Sequence, residues 1–343
     1  MTAFERVMNT IQGKPVDRVP VFAVLGIYGG KLIGKDLRTV YSNVDTYVAA
    51  QTAVYEKFGF DMLLAPFDYS AVGEAWGGTT EFFLDQAPNL KRPKFSKSKD
   101  ILKNRCPDPY TDGRLPFILE SAAKLYERFG REVPIIATVS GPCVLPALAV
   151  GLETWLDTVL FDTSCADDVM AYTGEFFVAW VKALKETGIT AVVLTEGLAA
   201  AEIMPREFFT ARCLTHFNKV LSSYECPTVF HHSGGSINHV LDLIKDIPNV
   251  FGFSVGSKDD LTTARSMINT SQILIGNIDI LQLPLVSRGM VYEQCLEKLR
   301  EAGSKGKYIL STAGADVPIH THEDNLHAMI EASLAYAEES GAV

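Results

Sequence analysis

Eight short apolar, β-branched runs recur along the chain, each followed by a cluster of Gly, Pro, Ser or Asp and then by a helical pattern. They are VPVFAV (19–24), DMLLAP (61–66), VPIIATVS (133–140), AVVLTEG (191–197), PTVFHHSG (227–234), VFGFSV (250–255), ILIGNID (273–279) and YILSTAG (308–314). Between them, segments such as VDTYVAAQTAVYEKFG, GRLPFILESAAKLYERFG and ADDVMAYTGEFFVAWVKALKETG carry apolar residues at i, i+3 and i+4, the spacing of a helix with one buried face. Gly59, Gly130 and Gly188 follow these patterns where a helix-ending glycine belongs. Strands that are apolar almost throughout, alternating with helices, imply a parallel sheet with its outer face covered. Eight such units predict an α/β fold, a closed (β/α)8 TIM barrel. The rival is an open doubly wound sheet, which wants G-x-G-x-x-G after its first strand. The stretch VLGIYGGKLIG (24–34) lacks that spacing. One barrel domain over 1–343 is expected, with an N-terminal helical extension and a polar insertion near 78–108 that can hold a small β-excursion and a surface loop.

Charge narrows the partners. The net charge is −10, which disfavours nucleic acid or an anionic membrane surface. Apolar residues at 47% and charged residues at 21% suit a globular enzyme with a sizeable core. The six cysteines are scattered without a C-x-x-C pair, so neither a zinc ribbon nor a disulfide scaffold is indicated. Reduced thiols, an N-terminus without an apolar h-region and no long apolar span lead to the expectation of a cytoplasmic protein without a membrane segment. No G-x-S-x-G elbow, Walker A loop or H-E-x-x-H motif is present.

In a barrel, the chemistry belongs at the C-terminal ends of the strands. Reading those ends gives Phe67, Asp68, Tyr69, Glu74 and Trp76 after the second run, Ser140 after the third and Glu196 after the fourth. The fifth ends in His231, His232 and Ser233, the sixth in Ser254, the seventh in Asn277 and Asp279, and the eighth in Ser311, Thr312 and Asp316. Side chains alternate along a strand, so only one of His231 and His232 should face the barrel interior. Carboxylates with a histidine can bind zinc or move protons. Each is also a candidate helix cap, a role in which Asp, Ser and Thr are common. Glutamate is a poor cap and costly to bury, which favours a functional Glu196. His320, His322 and His327 lie in a polar final segment and read as a solvated surface. Phe67, Tyr69, Trp76, Phe230 and Tyr28 could line an apolar pocket.

An ordered set of segments resembles the uroporphyrinogen decarboxylase superfamily. It comprises FERVMNTIQGKPVDRVPV, FGFDMLLAPFDYSAVGEAWGG, VSGP, TEGLAAAEIMPREFF, FHHSGG, GNID and LSTAGADVP with THEDNLHAMIEA. The likeness covers nearly the whole chain and implies a single distorted TIM barrel. Its closer affinity is to the corrinoid-dependent methyltransferase branch, similar to the methylcobamide:coenzyme M methyltransferases. Two departures matter. True decarboxylases carry an Arg-Gln-Ala-Gly-Arg segment after the first strand to hold substrate carboxylates, and here that stretch reads FAVLGIYGGKLIG, without arginine. The methyltransferase branch binds zinc through His-x-Cys on the fifth strand and a Cys after the eighth. Here those places read His231, Ser233 and Ala315.

The resemblance implies an enzyme that moves a methyl group between a small methylated substrate and the cobalamin of a partner corrinoid protein. Glu196, His231 and Asp68 are the expected catalytic groups. Phe67, Tyr69, Glu74, Trp76, Ser140, Asn277 and Asp279 are expected at the substrate. Zinc, if bound, would need His231 with oxygen ligands from Glu196 and Asp316, because both thiolate positions are lost. The alternatives are a decarboxylase or other lyase on the same barrel, and an accessory barrel that binds a corrinoid without turnover.

Overall fold

A computed structural model describes residues 1–341. Ten strands form in chain order: β1 (Val21–Phe22), β2 (Leu63–Leu64), β3 (Thr79–Glu81), β4 (Asn89–Arg92), β5 (Ile135–Ser140), β6 (Ala191–Thr195), β7 (Thr228–His231), β8 (Val250–Ser254), β9 (Ile273–Asp279) and β10 (Tyr308–Ala313). Eight of them make one curled sheet in the order β1-β10-β9-β8-β7-β6-β5-β2 with every pairing parallel, and helices separate them in sequence. The fold is the (β/α)8 barrel that the alternation predicts. The remaining pair, β3 and β4, is an antiparallel hairpin inside the polar 78–108 stretch.

The first two expected strands are much shorter than their apolar runs. Across the β1–β2 seam the Asp61 amide donates to the Val21 carbonyl at 2.9 Å. The Asp61 side chain replaces further ladder bonds: its Oδ2 accepts from the Val21 amide at 2.7 Å. Asp61 is fully buried and is matched by two arginines, with Arg6 Nη1 at 2.6 Å and Arg18 Nη1 at 2.7 Å. The seam is thus an ionic bracket at the N-terminal face of the barrel.

Arg6 belongs to the first helix, Ala3–Gln12, which starts in a capping box between Thr2 and Glu5 and stops at Gly13 in a left-handed conformation (φ 69°). This helix turns Val7 and Ile11 toward the barrel floor, where they pack with Phe22, Met62, Leu64 and Ile136. The larger core lies between the sheet and the helical ring. Gly59 and Gly188 adopt left-handed conformations after their helices, but Gly130 does not (φ −61°). Glycine there makes room for a ring, since a Cβ would stand 2.3 Å from Cδ2 of Tyr126. Among the described residues no helix is long and apolar enough to cross a membrane.

Candidate functional site

Parallel register sets Thr195 of β6, His231 of β7 and Ser254 of β8 side by side at the C-terminal end of the barrel. All three border a cavity of about 70 Å³ inside the barrel, with Thr138, Ser311, Thr312 and Gly314 beside them and Val24, Val193, Val229 and Ile275 below. Above it, at the mouth, lies an open pocket of about 460 Å³ bordered by Ile27, Phe67, Tyr69, Ala315, Asp316 and His320. Residues 85–89, which join the hairpin strands, form its outer wall. Phe67 borders both spaces, and its ring packs edge-on against Tyr69 at 4.8 Å. The Tyr69 hydroxyl is hydrogen-bonded to Thr195 Oγ1, which itself donates to the Val139 carbonyl at 3.1 Å. This bond stands between mouth and interior.

Of the histidine pair only His231 lines the cavity, while His232 is 1% exposed. In both rings Nδ1 accepts a backbone amide two residues on: Ser233 N–H to His231 at 3.0 Å and Gly234 N–H to His232 at 2.9 Å. Each neutral ring therefore carries its proton on Nε2. The turn that permits this has Ser233 at φ 54° and Gly234 at φ 90°, both left-handed. The rings stack with centroids 4.2 Å apart. Burial pulls the His231 pKa well below its ordinary value, and proximity to His232 adds to this. Burial likewise takes His232 down to about 4. Both are uncharged at neutral pH.

Glu196 is fully buried and commits its carboxyl group to the backbone: Oε1 accepts from Leu198 at 3.1 Å, and Oε2 from Cys143 at 3.1 Å and Val144 at 3.2 Å. It ties the loop after β6 to the loop after β5. Gly141 makes the approach possible, because a Cβ there would stand 2.3 Å from Glu196 Oε2. Asp316 is half-buried at the mouth; its Oδ1 accepts the Ile27 amide at 3.1 Å and its Oδ2 is buried without a partner. Among the described residues no three His, Cys, Asp or Glu side chains come together to hold a metal ion. The donor set expected from Glu196, His231 and Asp316 is therefore not assembled. The physical reason is that both Glu196 oxygens are spent on backbone amides and His231 Nδ1 is taken by Ser233, while Asp316, whose Oδ2 stays free, borders the mouth pocket and not the cavity that His231 lines. Zinc does not fit the residues present.

Burial raises the Glu196 pKa from 4.5 to about 8, against the downward pull of its three amide donors. A carboxyl whose folded pKa lies above its unfolded value holds its proton more tightly in the native state, so it destabilises the fold as pH rises through that window. Asp316, raised by burial to about 7, adds in the same direction. Stability is expected to fall between pH 5 and pH 9, and the Glu196→Gln variant to show a shallower fall. Urea unfolding at several pH values measures this; an unchanged slope in the variant would refute the assignment.

Asp68 and Glu74 are occupied by a residue absent from the sequence reading. Arg114 pairs with Asp68 Oδ2 through Nη1 and with Glu74 Oε2 through Nε at 2.7 Å, and Nη2 reaches Ser70 Oγ at 2.9 Å. Ser70 Oγ also donates to Asp68 at 2.5 Å. Arg114 opens the helix Leu115–Phe129 rather than following a strand, so a survey of strand ends passes over it. Its only signal in the sequence is an arginine at a helix start preceded by glycine. Phe82 of the hairpin packs beneath its guanidinium at 5.0 Å.

The remaining expected residues separate. Phe67 and Tyr69 line the mouth. Trp76 is buried among Phe95 and Phe176. Ser140 is buried at the end of β5, opposite Thr195. Asn277 donates to the Gly256 and Asp259 carbonyls, both at 2.8 Å, as a brace between strand ends. Asp279 Oδ1 accepts the Leu281 amide at 2.9 Å, as a cap would. Phe230 faces the helices and stacks on Phe217 and Phe253, because its neighbours Val229 and His231 face inward. Tyr28 is buried, donating to the Thr321 carbonyl at 2.7 Å.

A parallel barrel with its polar groups gathered at the strand ends is the frame of many enzymes, and comparison assigns this one. The chain matches the uroporphyrinogen decarboxylase (URO-D) family over residues 2–336 and belongs to that family. Within it the chain sorts with the methyl-transferring enzymes. It is 25% identical, over 98% of both chains, to the methylcobamide:CoM methyltransferase MtbA of Methanosarcina acetivorans. It is 24% identical to the methylated-thiol–coenzyme M methyltransferase of Methanosarcina mazei, over 97% of this chain and 89% of that one. The solved structure of a methyltransferase from Methanosarcina mazei superposes with a TM-score of 0.86 over 99% of both chains at 22% identity, a likeness of fold.

Proposed function

We propose that this protein transfers a methyl group between a small methylated compound and the cobalt of a corrinoid carried by a partner protein. The observation that carries this reading is the pair of adjoining spaces at the strand ends: an open mouth pocket of about 460 Å³, above a small compartment that is bordered by His231 and by no charged side chain. The printed names of the relatives, methylcobamide:CoM methyltransferases, support the corrinoid as one reactant. Methyl transfer to Co(I) forms a cobalt–carbon bond with the cobalt electron pair, while the carbon–heteroatom bond leaves its pair on the heteroatom. The chain's task is to bind, align and exclude water. His231 offers an Nε2–H donor to the heteroatom. Glu196 and Asp68 act as positioning residues that hold the rim loops.

The test is spectroscopic. Cob(I)alamin is mixed with the protein and candidate methyl donors, and methylcobalamin formation is followed. Turnover is expected, with His231→Ala about 10²-fold slower or worse. Carbon dioxide release from a carboxylated substrate without cobalamin, with no cobalamin methylation by any donor, would replace this reading with a lyase.

A further inference from the structure

The compartment below Tyr69 has an unusual wall. Barrel interiors of this kind are normally filled by layers of side chains. Here the interior keeps about 70 Å³ free, and no Asp, Glu, Lys or Arg borders it. Its lower wall is apolar apart from Thr190, with Phe22 and Phe251 among aliphatic side chains. Its upper rim is hydroxylated, with Thr138, Thr195, Ser254, Ser311 and Thr312, and His231 among them. Most of these groups are engaged: Ser311 Oγ donates to the Thr312 carbonyl at 3.0 Å, and Thr312 Oγ1 accepts the Val24 amide at 3.2 Å. Thr138 Oγ1 is not; it is buried without a hydrogen-bond partner. Buried polar atoms are rarely left unmatched, so an orphan hydroxyl facing a void marks a place where a guest's polar atom belongs.

We infer that this compartment holds the body of the methylated substrate, which is a small uncharged molecule with one acceptor atom for Thr138 and a few carbon atoms against Val193, Val229 and Ile275. This rests on the methyl-transfer reading and narrows its substrate class. Size sets one limit: a cavity of roughly 150 Å³ accepts benzene, and the free space here is about 70 Å³, so aromatic donors are too large. Charge sets the other. An anionic substrate would lose its hydration against a wall without a counter-charge, at a cost of several kcal/mol. A thiol bearing a sulfonate tail is therefore excluded from the interior, in keeping with the absence of thiolate ligands at Ser233 and Ala315. The Tyr69–Thr195 bond links a residue of the mouth to one of the compartment, and Phe67 borders both spaces.

The probes are xenon, dimethyl sulfide and acetate, the last two being similar in size, one neutral and the other an anion. Xenon is expected to occupy the space between Thr138, Val193 and Val229 in a pressurised crystal. Dimethyl sulfide is expected to bind in solution and acetate not to. Val193→Phe, which fills the space, is expected to weaken dimethyl sulfide binding about tenfold or more. Ile275→Phe serves if that variant fails to fold. Xenon absent from the interior of the unmodified protein, or acetate bound as tightly as dimethyl sulfide, would overturn the inference. These readouts need no cobalamin. A protein that binds the neutral probe but never methylates cobalamin keeps the compartment and loses the methyl-transfer reading; one that methylates cobalamin without binding it does the reverse.

Discussion

Replacing Asp61 with asparagine is expected to remove about 3–5 kcal/mol of folding stability. The carboxylate is fully buried, and its two oxygens accept from Arg6, from both terminal nitrogens of Arg18 and from the Val21 amide. An amide keeps the shape but not the charge, and it turns an NH2 group toward donors. Two guanidinium groups, each about a tenth exposed or less, would then lack their shared counter-ion, although Arg6 keeps Asp17 at 2.6 Å. Breaking one member of a buried ionic cluster costs far more than the net worth of the cluster, because the remaining charges stay desolvated. The damage would reach the interior, since the helix carrying Arg6 also supplies Val7 and Ile11 to the barrel floor. Urea unfolding of the variant beside the unmodified protein measures it. A loss below about 1 kcal/mol, the range of an exposed ion pair, would show that the bracket is not what closes the seam.

Arg114→Met is the second large effect. Methionine retains the stem but removes the guanidinium's bonds to Asp68, Glu74 and Ser70, leaving the Asp68 carboxylate buried without a counter-ion and with only the neutral donors Ser70 Oγ and the Ala71 amide. A loss of about 3 kcal/mol is expected at neutral pH. The pH dependence is diagnostic. Burial already raises the Asp68 pKa, with Arg114 as the main opposing influence, so the variant raises it further. A carboxyl with a raised folded pKa contributes stability that is fully present below its unfolded value of 3.8 and lost as pH rises through the folded value. The defect should therefore shrink toward acid pH and be largest at neutral and alkaline pH. The hairpin rests on Arg114 through Phe82 and through Thr80 at 3.3 Å, so proteolysis within 82–88 should also quicken. A defect independent of pH would mean that Asp68 is not the group left unpaired.

The barrel is legible in the sequence because each strand buried on both faces must be apolar throughout, and eight such runs leave few alternatives. What periodicity could not foresee is that the runs beginning at 19 and 61 form only two-residue strands, because a side chain, Asp61, does the pairing there. Of the histidine pair only His231 borders the cavity, but the rings are not on opposite faces as alternation predicts: the strand ends at His231 and the two rings stack at 4.2 Å. Alternation does place Phe230 among the helices, a consequence that a survey of aromatic residues near strand ends overlooks. The roles of Glu196 and Asn277 were not readable, because each is defined by backbone groups brought from another loop. Arg114 was hidden for a related reason: its partners lie 34–46 positions earlier and meet it only after folding.

The turn after β7 has a consequence for proton traffic. With both Nδ1 atoms taken by amides, each imidazole is locked in one tautomer and presents only its Nε2–H, with no free nitrogen to take up a second proton. The rings lie face to face at 4.2 Å, so a positive charge on one opposes a charge on the other. The two histidines are thereby held as neutral hydrogen-bond donors: a charge on either ring would have to displace the amide from its Nδ1 and would meet the neighbouring ring, and of the two only His231 borders the cavity.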